Sequence, residues 1–349
     1  MTQTKKIKEA LNKVFLNNDT VFIVPHYHPN PDFDALGAVF GISLICKKNK
    51  KKAYIIIDTD INKFGTEERN VVEYLAEKFT VINSKEASEL MTNKSAMVAV
   101  DVSRHNLLSE GINGLIPRFN EIFVLDHHKE DEHVINCDYK FIDPELSSTC
   151  EEITRLLVAY NVKFTPGIAN CLVAGIALDT NKFTNNAKNA FAVVGELIAK
   201  GADLAIVNNM FTEDYESDKK MLNIVNQVSF PTHVYAVAGC NNDKMIYKPE
   251  DIAKAADYLL KYRIFASFAL GYIDEDTISI SARSKGDVDV SAIMRCFGGG
   301  GNEHSAAARV KGMSIDEVKF QLEYLLNPCT YLKSGDLNID SGMTLKLRK

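Results

Sequence analysis

The sequence predicts an α/β protein of two domains. The N-terminal domain should hold a mostly parallel sheet flanked by helices, and the smaller C-terminal one a mixed sheet. Three observations carry that reading. Short apolar runs alternate with helix-length stretches through the first half of the chain. From His233 the rhythm changes, and strand-like runs gather around one helix. A chain of 349 residues is long enough for two separate cores.

The elements follow in order. Ile7, Ala10, Leu11, Val14 and Phe15 fall at helical spacing, so the chain opens on an amphipathic helix. A strand over 21–25 leads into a helix over 35–47, and a strand over 53–57 into a helix over 67–78. Strands over 97–101 and 122–126 complete a pattern that needs a sheet covered on both faces. Ser148 and Thr149 each stand three residues before a glutamate, Glu151 and Glu152, which is capping-box spacing for a helix to about Tyr160. The N-terminus of that helix is also suited to phosphate. Helices over 167–177 and 187–200 close the first domain, assigned to 1–212. A polar stretch from 213 starts a linker helix over 213–230. The second domain, 231–330, should have strands at 233–239, 266–273 and 277–283 and a helix at 250–262, with Asp274 to Asp276 as a turn. Beyond it, 331–349 reads as a tail without periodicity.

Composition narrows the function. A net charge of −6 argues against a long nucleic-acid footprint, which needs a basic stripe, and is compatible with a small phosphodiester held by metals. No apolar run approaches the roughly 20 residues of a transmembrane helix, and no signal-peptide pattern is present. The 7 cysteines are odd in number and scattered without metal-type spacing, which suits reduced thiols in the cytoplasm.

The chemistry concentrates where apolar runs end in acids. Residues 122–125 run into Asp126, His127 and His128. The run at 21–24 leads to His26, His28, Asp32 and Asp34, the run at 97–100 to Asp101, and the run at 172–178 to Asp179. Ionisable groups at buried strand ends are costly unless something compensates them, and a metal ion does so. Ligands in open α/β sheets sit at the carboxyl ends of strands, so these acids should converge. Adjacent residues of a strand face opposite ways, which gives His127 and His128 different jobs. Mixed Asp/His donors suit a pair of divalent transition ions, with Mn²⁺ the best match.

His28-x-x-Pro31-Asp32-x-Asp34-Ala35-Leu36-Gly37, Asp101, Asp126-His127-His128 and Gly175-Ile176-x-x-Asp179-Thr180 resemble, in order, the motifs of the DHH phosphoesterases. Ser281 to Ser284, and Gly298 to Gly301 followed by Ala306 and Ala307, resemble the DHHA1 domain that follows DHH in one subfamily. The resemblance spans roughly residues 5 to 325. Ile252 to Asp257 and Ser279 to Ser284 look most like GdpP-type cyclic-di-AMP phosphodiesterases, and somewhat less like the nano-RNase/pAp-phosphatase (NrnA-like) branch. GdpP-type proteins carry membrane and sensory domains ahead of this module, and this sequence contains none.

The resemblance implies one Mn²⁺ on His28, Asp32 and Asp101, and a second on Asp34, Asp101, His127 and Asp179, with Asp101 bridging. His26 is extra to the motif and is expected beside the site as a neighbour. Two such ions activate water for in-line displacement. Asp126 would orient its neighbours, and His128 would meet the scissile phosphate as a catalytic group with Asp101. The second domain would grip the nucleotide through Arg283, Ser284, Gly298, Gly299, Gly300, Gly301, Asn302 and His304, with the site in the cleft between domains. Asn302 stands where the family usually has His.

The expected activity is opening of cyclic di-AMP to linear pApA, extending to pApA cleavage into AMP. The alternative is trimming of two- to five-nucleotide RNAs or removal of phosphate from pAp. Inorganic pyrophosphatase shares the DHH half but lacks the glycine loop. A regulator with a decayed site would have lost ligands that are all present here. Partners reduce to a small nucleotide and a second copy of the chain in a homodimer.

Overall fold

The computed structural model describes residues 2–28, 30–130, 133–212, 215–239 and 245–326. The tail expected over 331–349 lies outside the described residues. The chain divides into two compact units, Met1–Thr212 and Glu213–Lys349.

The first unit runs α1 (Gln3–Asn17), β1 (Thr20–Val24), α2 (Phe33–Lys48), β2 (Lys52–Ile56), α3 (Thr66–Lys78), β3 (Val81–Ile82), α4 (Ser84–Leu90), β4 (Ser95–Val100), α5 (Glu110–Leu115), β5 (Glu121–Asp126), β6 (Tyr139–Ile142), α6 (Thr149–Ala159), α7 (Pro166–Asp179), α8 (Ala190–Ala199) and α9 (Leu204–Asn209). All six strands are parallel, in the order β3-β2-β1-β4-β5-β6. The alternation of side chains sorts the two faces. Val21, Ile23, Val98 and Phe123 pack with α1, α2, α6 and α7. Phe22, Val24, Met97 and Val124 pack with α4 and α5. Burial on both faces is why these strands read as continuous apolar runs.

The connections leave β1 in opposite directions along the sheet, so the switch point lies between β1 and β4. The run over 172–178 is part of α7, not a strand. Thr165 caps that helix and Pro166 sits in its first turn. Asp179 therefore arrives at the site from a helix end, in line with the helix expected over 167–177. α2 and α7 are both buried almost all round, and glycines let them meet. A Cβ at Gly175 would lie 2.7 Å from Cys150 Sγ and 2.8 Å from Asp34 Cα.

The second unit runs α10 (Tyr215–Val225), β7 (Val228–Thr232), β8 (Tyr235–Gly239), α11 (Pro249–Leu259), β9 (Ala266–Tyr272), β10 (Thr277–Ser284), α12 (Val290–Arg295), β11 (Gly300–Gly301), β12 (Ser305–Lys311) and α13 (Ile315–Leu326). Its sheet order is β11-β12-β10-β9-β8-β7. β8 and β9 are parallel and the other pairs antiparallel. Ile278, Ile280 and Ala282 of β10 face the core with α12 and α13. α10 is not a linker: Met221, Ile224 and Val225 bury their side chains with Ile252, Ala255 and Leu259 of α11. That spacing is one apolar stripe on an otherwise polar helix. β7 then begins within the residues assigned to the linker and ends in those assigned to the second domain.

Two glycine substitutions test this packing. Gly175→Ala should lower unfolding stability by about 1–3 kcal/mol, as overpacking does. Gly195→Ala, on the exposed face of α8 with nothing within 4 Å of the new Cβ, should raise it by roughly 0.5–1 kcal/mol. Urea unfolding of both variants reads the difference.

Candidate functional site

Each ionisable group enters from the end of an element. His26 lies two residues past β1, Asp101 follows β4, and Asp126 closes β5 ahead of His127 and His128. Asp32 and Asp34 start α2, and Asp179 ends α7. Asp32 caps its helix, with Oδ1 accepting from the N–H groups of Asp34 (2.9 Å) and Ala35 (3.1 Å). Asp101 sits at φ +58°, a left-handed conformation that Asp tolerates better than most residues.

The donors fall into three overlapping groups: His26, Asp32 and Asp101; Asp101, His127 and His128; and Asp34, His127 and Asp179. His26 Nε2 is 3.8 Å from Asp32 Oδ1 and 3.7 Å from Asp101 Oδ2. His127 Nε2 is 3.1 Å from Asp179 Oδ2, 3.6 Å from Asp101 Oδ1 and 3.9 Å from Asp34 Oδ2. Asp101 belongs to two of these groups.

Two histidines are placed differently from expectation. His28 is in none of the groups; it is exposed, with its ring against Tyr27. His26, set aside as a neighbour, is buried at the cluster. The strand ends at Val24, so the second residue beyond it stays at the sheet's edge while the following loop carries His28 outward. Counting from the strand end would have selected His26. His127 and His128 also do not diverge, because both lie beyond the last strand residue and their ring centroids are 4.5 Å apart.

Burial and crowding set the charge states. Burial raises the Asp101 carboxyl well above the usual range, and Asp34, Asp32 and Asp179 push the same way. Burial, then Asp34, lifts Asp179 to about 7 against the pull of His127. Burial lowers His127, but Asp179 and Asp34 outweigh it and raise the ring to about 9. Burial also raises Asp126, yet hydrogen bonding and charge from His128 prevail and hold it at about 2. Asp126 Oδ1 accepts from His128 Nδ1 at 2.8 Å, so that nitrogen carries the proton and Nε2 is left open.

The amide groups that start α6 are already occupied. Thr149 N–H and Cys150 N–H donate to the two oxygens of Asp34 at 2.7 and 2.8 Å, and Thr149 Oγ1 donates to Asp101 at 3.1 Å. The anion at this helix N-terminus is therefore the Asp34 carboxylate, not the phosphate expected there.

The cluster fits divalent cations. His127 Nε2 and Asp179 Oδ2 are buried and have no hydrogen-bond partner, although they lie 3.1 Å apart. Buried polar atoms without partners are costly, and an ion accepting both would compensate them.

In the second unit, Arg283 and Gly298 to Gly301 line a groove of about 660 Å³ together with Ser279, Ser281 and Ser305 to Arg309. Gly299 is required there, since a Cβ would come within 2.1 Å of the Ala307 carbonyl oxygen. Ser284, Asn302 and His304, also expected at the substrate, are not among the residues that line this groove. Ser284 Oγ accepts from the N–H groups of Gly286 and Val288. Asn302 Oδ1 accepts from those of His304 and Ser305, forming the turn into β12. His304 is exposed, 3.4 Å from Glu303. Ser279, Ser281 and Arg309 were missed, although the period-two pattern of β10 marks the first two.

Residues 20–176 match the model of the DHH family N-terminal domain, and residues 233–327 match the DHHA1 domain. The chain belongs to the DHH family. It is 31% identical to the cyclic-di-AMP phosphodiesterase GdpP of Geobacillus thermodenitrificans over 95% of this chain and 51% of that protein. Identity to the cyclic-di-AMP phosphodiesterase PdeA of Listeria monocytogenes is 28%, over 92% of this chain and 49% of that protein. This DHH chain thus spans about half the length of these curated relatives. It is 24% identical to the bifunctional oligoribonuclease and PAP phosphatase NrnA of Thermus thermophilus, over 83% of this chain and 85% of that protein. An exopolyphosphatase-related protein of Bacteroides fragilis shares the fold, with a TM-score of 0.76 at 20% identity over 95% of this chain and 100% of that one. Among the described residues, no helix of this DHH protein is long and apolar enough to cross a membrane.

The charge states make metal binding pH-dependent. The folded, metal-free protein keeps a proton on Asp179 between its ordinary 3.8 and about 7, where the unfolded chain has lost it. Metal-free stability should therefore fall as pH rises through that window. Divalent affinity should rise as pH passes about 7, and further toward about 9 as His127 gives up its proton. Calorimetry in buffers of different ionisation enthalpy should detect proton release on binding; its absence would contradict these charge states.

Proposed function

We propose that this chain is a metal-dependent phosphodiesterase that opens cyclic di-AMP to linear pApA and continues to AMP. The observation that carries the reading is the buried Asp/His cluster in which Asp101 is shared between two donor groups. The similarity to GdpP and PdeA across nearly all of the chain supports the choice of substrate. Two divalent ions would be held, one by His26, Asp32 and Asp101 and one by Asp34, Asp101, His127 and Asp179. Mn²⁺ suits this set of imidazole and carboxylate donors.

When bound, the ions stabilise charge on the phosphoryl oxygens and lower the pKa of water. The other roles fall to the chain's own groups. Asp126 stays ionised and fixes His128 through Nδ1, and with a second proton on Nε2 the resulting imidazolium would give that proton to the leaving oxygen. Thr149 positions Asp101, and the N-terminus of α6 positions Asp34. Arg283 would hold a non-reacting phosphate; its Nε is fixed by Asp257 at 2.8 Å.

A second reading is supported by the NrnA relative and by the groove, whose lining among the described residues contains arginine, serine and glycine but no aromatic residue. Degradation of short RNA or dephosphorylation of pAp would use the same metal cluster. Incubation with Mn²⁺ and, separately, cyclic di-AMP, pApA and pAp distinguishes the readings. Rapid opening of the ring is expected. Inertness toward the ring with rapid cleavage of pApA would select the second.

Three substitutions test the assignments. Asp101→Ala should reduce turnover to background. His26→Ala should weaken divalent binding by at least about 10–100-fold, the range seen for lost metal-site partners. His28→Ala should leave affinity within roughly twofold, as at other exposed positions. Titration calorimetry of the purified variants reads both histidines, and the reverse ranking would restore His28 as the ligand.

A further inference from the structure

We infer that Arg309 holds a second phosphate of a linear oligonucleotide, so that the groove of the C-terminal unit senses the length of the chain it binds and not its bases. The inference rests on the phosphodiesterase reading above and adds a ligand position to it.

The register of the sheet carries the argument. Ser279 pairs with Arg309, Ser281 with Ala307 and Arg283 with Ser305 across the antiparallel β10–β12 ladder. Paired residues share a face, and this face is opposite the one that Ile278, Ile280 and Ala282 bury in the core. All six residues line the groove. The floor therefore has an arginine and a serine at each end, with Ser281 and Ala307 between. Four residues of strand separate the ends, which is about 13 Å.

The two arginines are held differently. Arg283 donates from Nε to Asp257 and from Nη1 to the carbonyl oxygen of Ala282 at 3.1 Å, so its guanidinium is pinned at one end. Arg309 is exposed, and among the described residues no ion pair engages it. Since Arg283 cannot swing along the floor, the two cations meet different phosphates. A guanidinium presents a planar fork to phosphate oxygens, which a lysine does not.

The walls are small. Ala253 of α11, Gly298 to Gly301 and Ala307 line the groove between the arginines, Ser279 and Ser281 lie at its base, and Glu250 is the single acid among the described lining residues. Stacking on an aromatic side chain contributes about 1–3 kcal/mol per base in single-strand binders, and no lining residue among the described ones can supply it. What remains is recognition of a backbone: two forked cations and a row of hydroxyls. A linear ligand with several phosphates satisfies both ends, and a mononucleotide reaches one.

The test is binding without turnover. Fluorescein-labelled RNAs of two, three and four nucleotides, in oligo-A and oligo-U forms, are titrated in EDTA with the wild-type protein, R309A and R309K, at two salt concentrations. Wild-type affinity should rise with length and differ little between A and U. R309A should lose about 10-fold or more for the longest RNA, the loss of one charge-assisted phosphate contact, and its salt slope should fall by about 1. Its affinity for the shortest RNA should stay near wild type, and R309K should fall between. Unchanged affinity of R309A for the four-nucleotide RNA, equal loss at every length, or no length dependence in the wild type would each overturn the inference. Because the assay contains no divalent ion, length-dependent binding lost in R309A would stand even if no substrate were hydrolysed with Mn²⁺. Hydrolysis with a silent R309A would remove the groove assignment alone.

Discussion

Negative charge crowded into a buried space is the constraint around which the first unit is organised. Asp34, Asp101 and Asp179 surround one imidazole, that of His127, within 3.9 Å of its Nε2. In a low dielectric such a group cannot remain fully ionised without cations, which is why Asp101 and Asp179 are driven toward their protonated forms. The fold brings the group together regardless. A parallel sheet delivers its strand ends to one edge, and the switch point between β1 and β4 opens a crevice there. The positive end of α6 offsets part of the charge by binding Asp34. Asp101 adopts a left-handed backbone at the point where the donor groups overlap. Such strain persists where the surroundings fix it, and at functional sites it is part of the arrangement.

Much of this was legible in the sequence. Apolar runs ending at Asp101 and Asp126 located both strand ends, because buried strands have few ways to carry acids. The helices around them followed from periodicity and from caps such as Ser148, whose side chain accepts from Glu151 N–H. His28 was taken as a ligand from its place in the resembled motif, and the loop between Val24 and Asp32 follows a path that no motif spacing determines. Asp179 follows the helix expected over 167–177, and the helix extends far enough to take it in as its last residue.

The second unit was harder to read for physical reasons. β7 contains Pro231, which argues against a strand in sequence but is tolerated on the sheet edge where β7 lies. α10 presents a polar composition around a narrow apolar stripe, so it resembles a connection until its partner α11 is seen. Ser284, Asn302 and His304 occupy motif positions yet spend their polar atoms on turns or on a neighbouring acid. The sequence identified the glycine loop and Arg283, but the groove they line also depends on which β12 residue stands opposite each β10 residue, and register is a tertiary property.

The claim on which the account rests is that one carboxylate, Asp101, joins two metal positions. Electron paramagnetic resonance of the metal-free protein titrated with Mn²⁺ tests it most directly, together with the stoichiometry of binding. The account predicts two ions per chain and the spectrum of a magnetically coupled pair. A single ion, or two ions with the spectrum of isolated Mn²⁺, would contradict it.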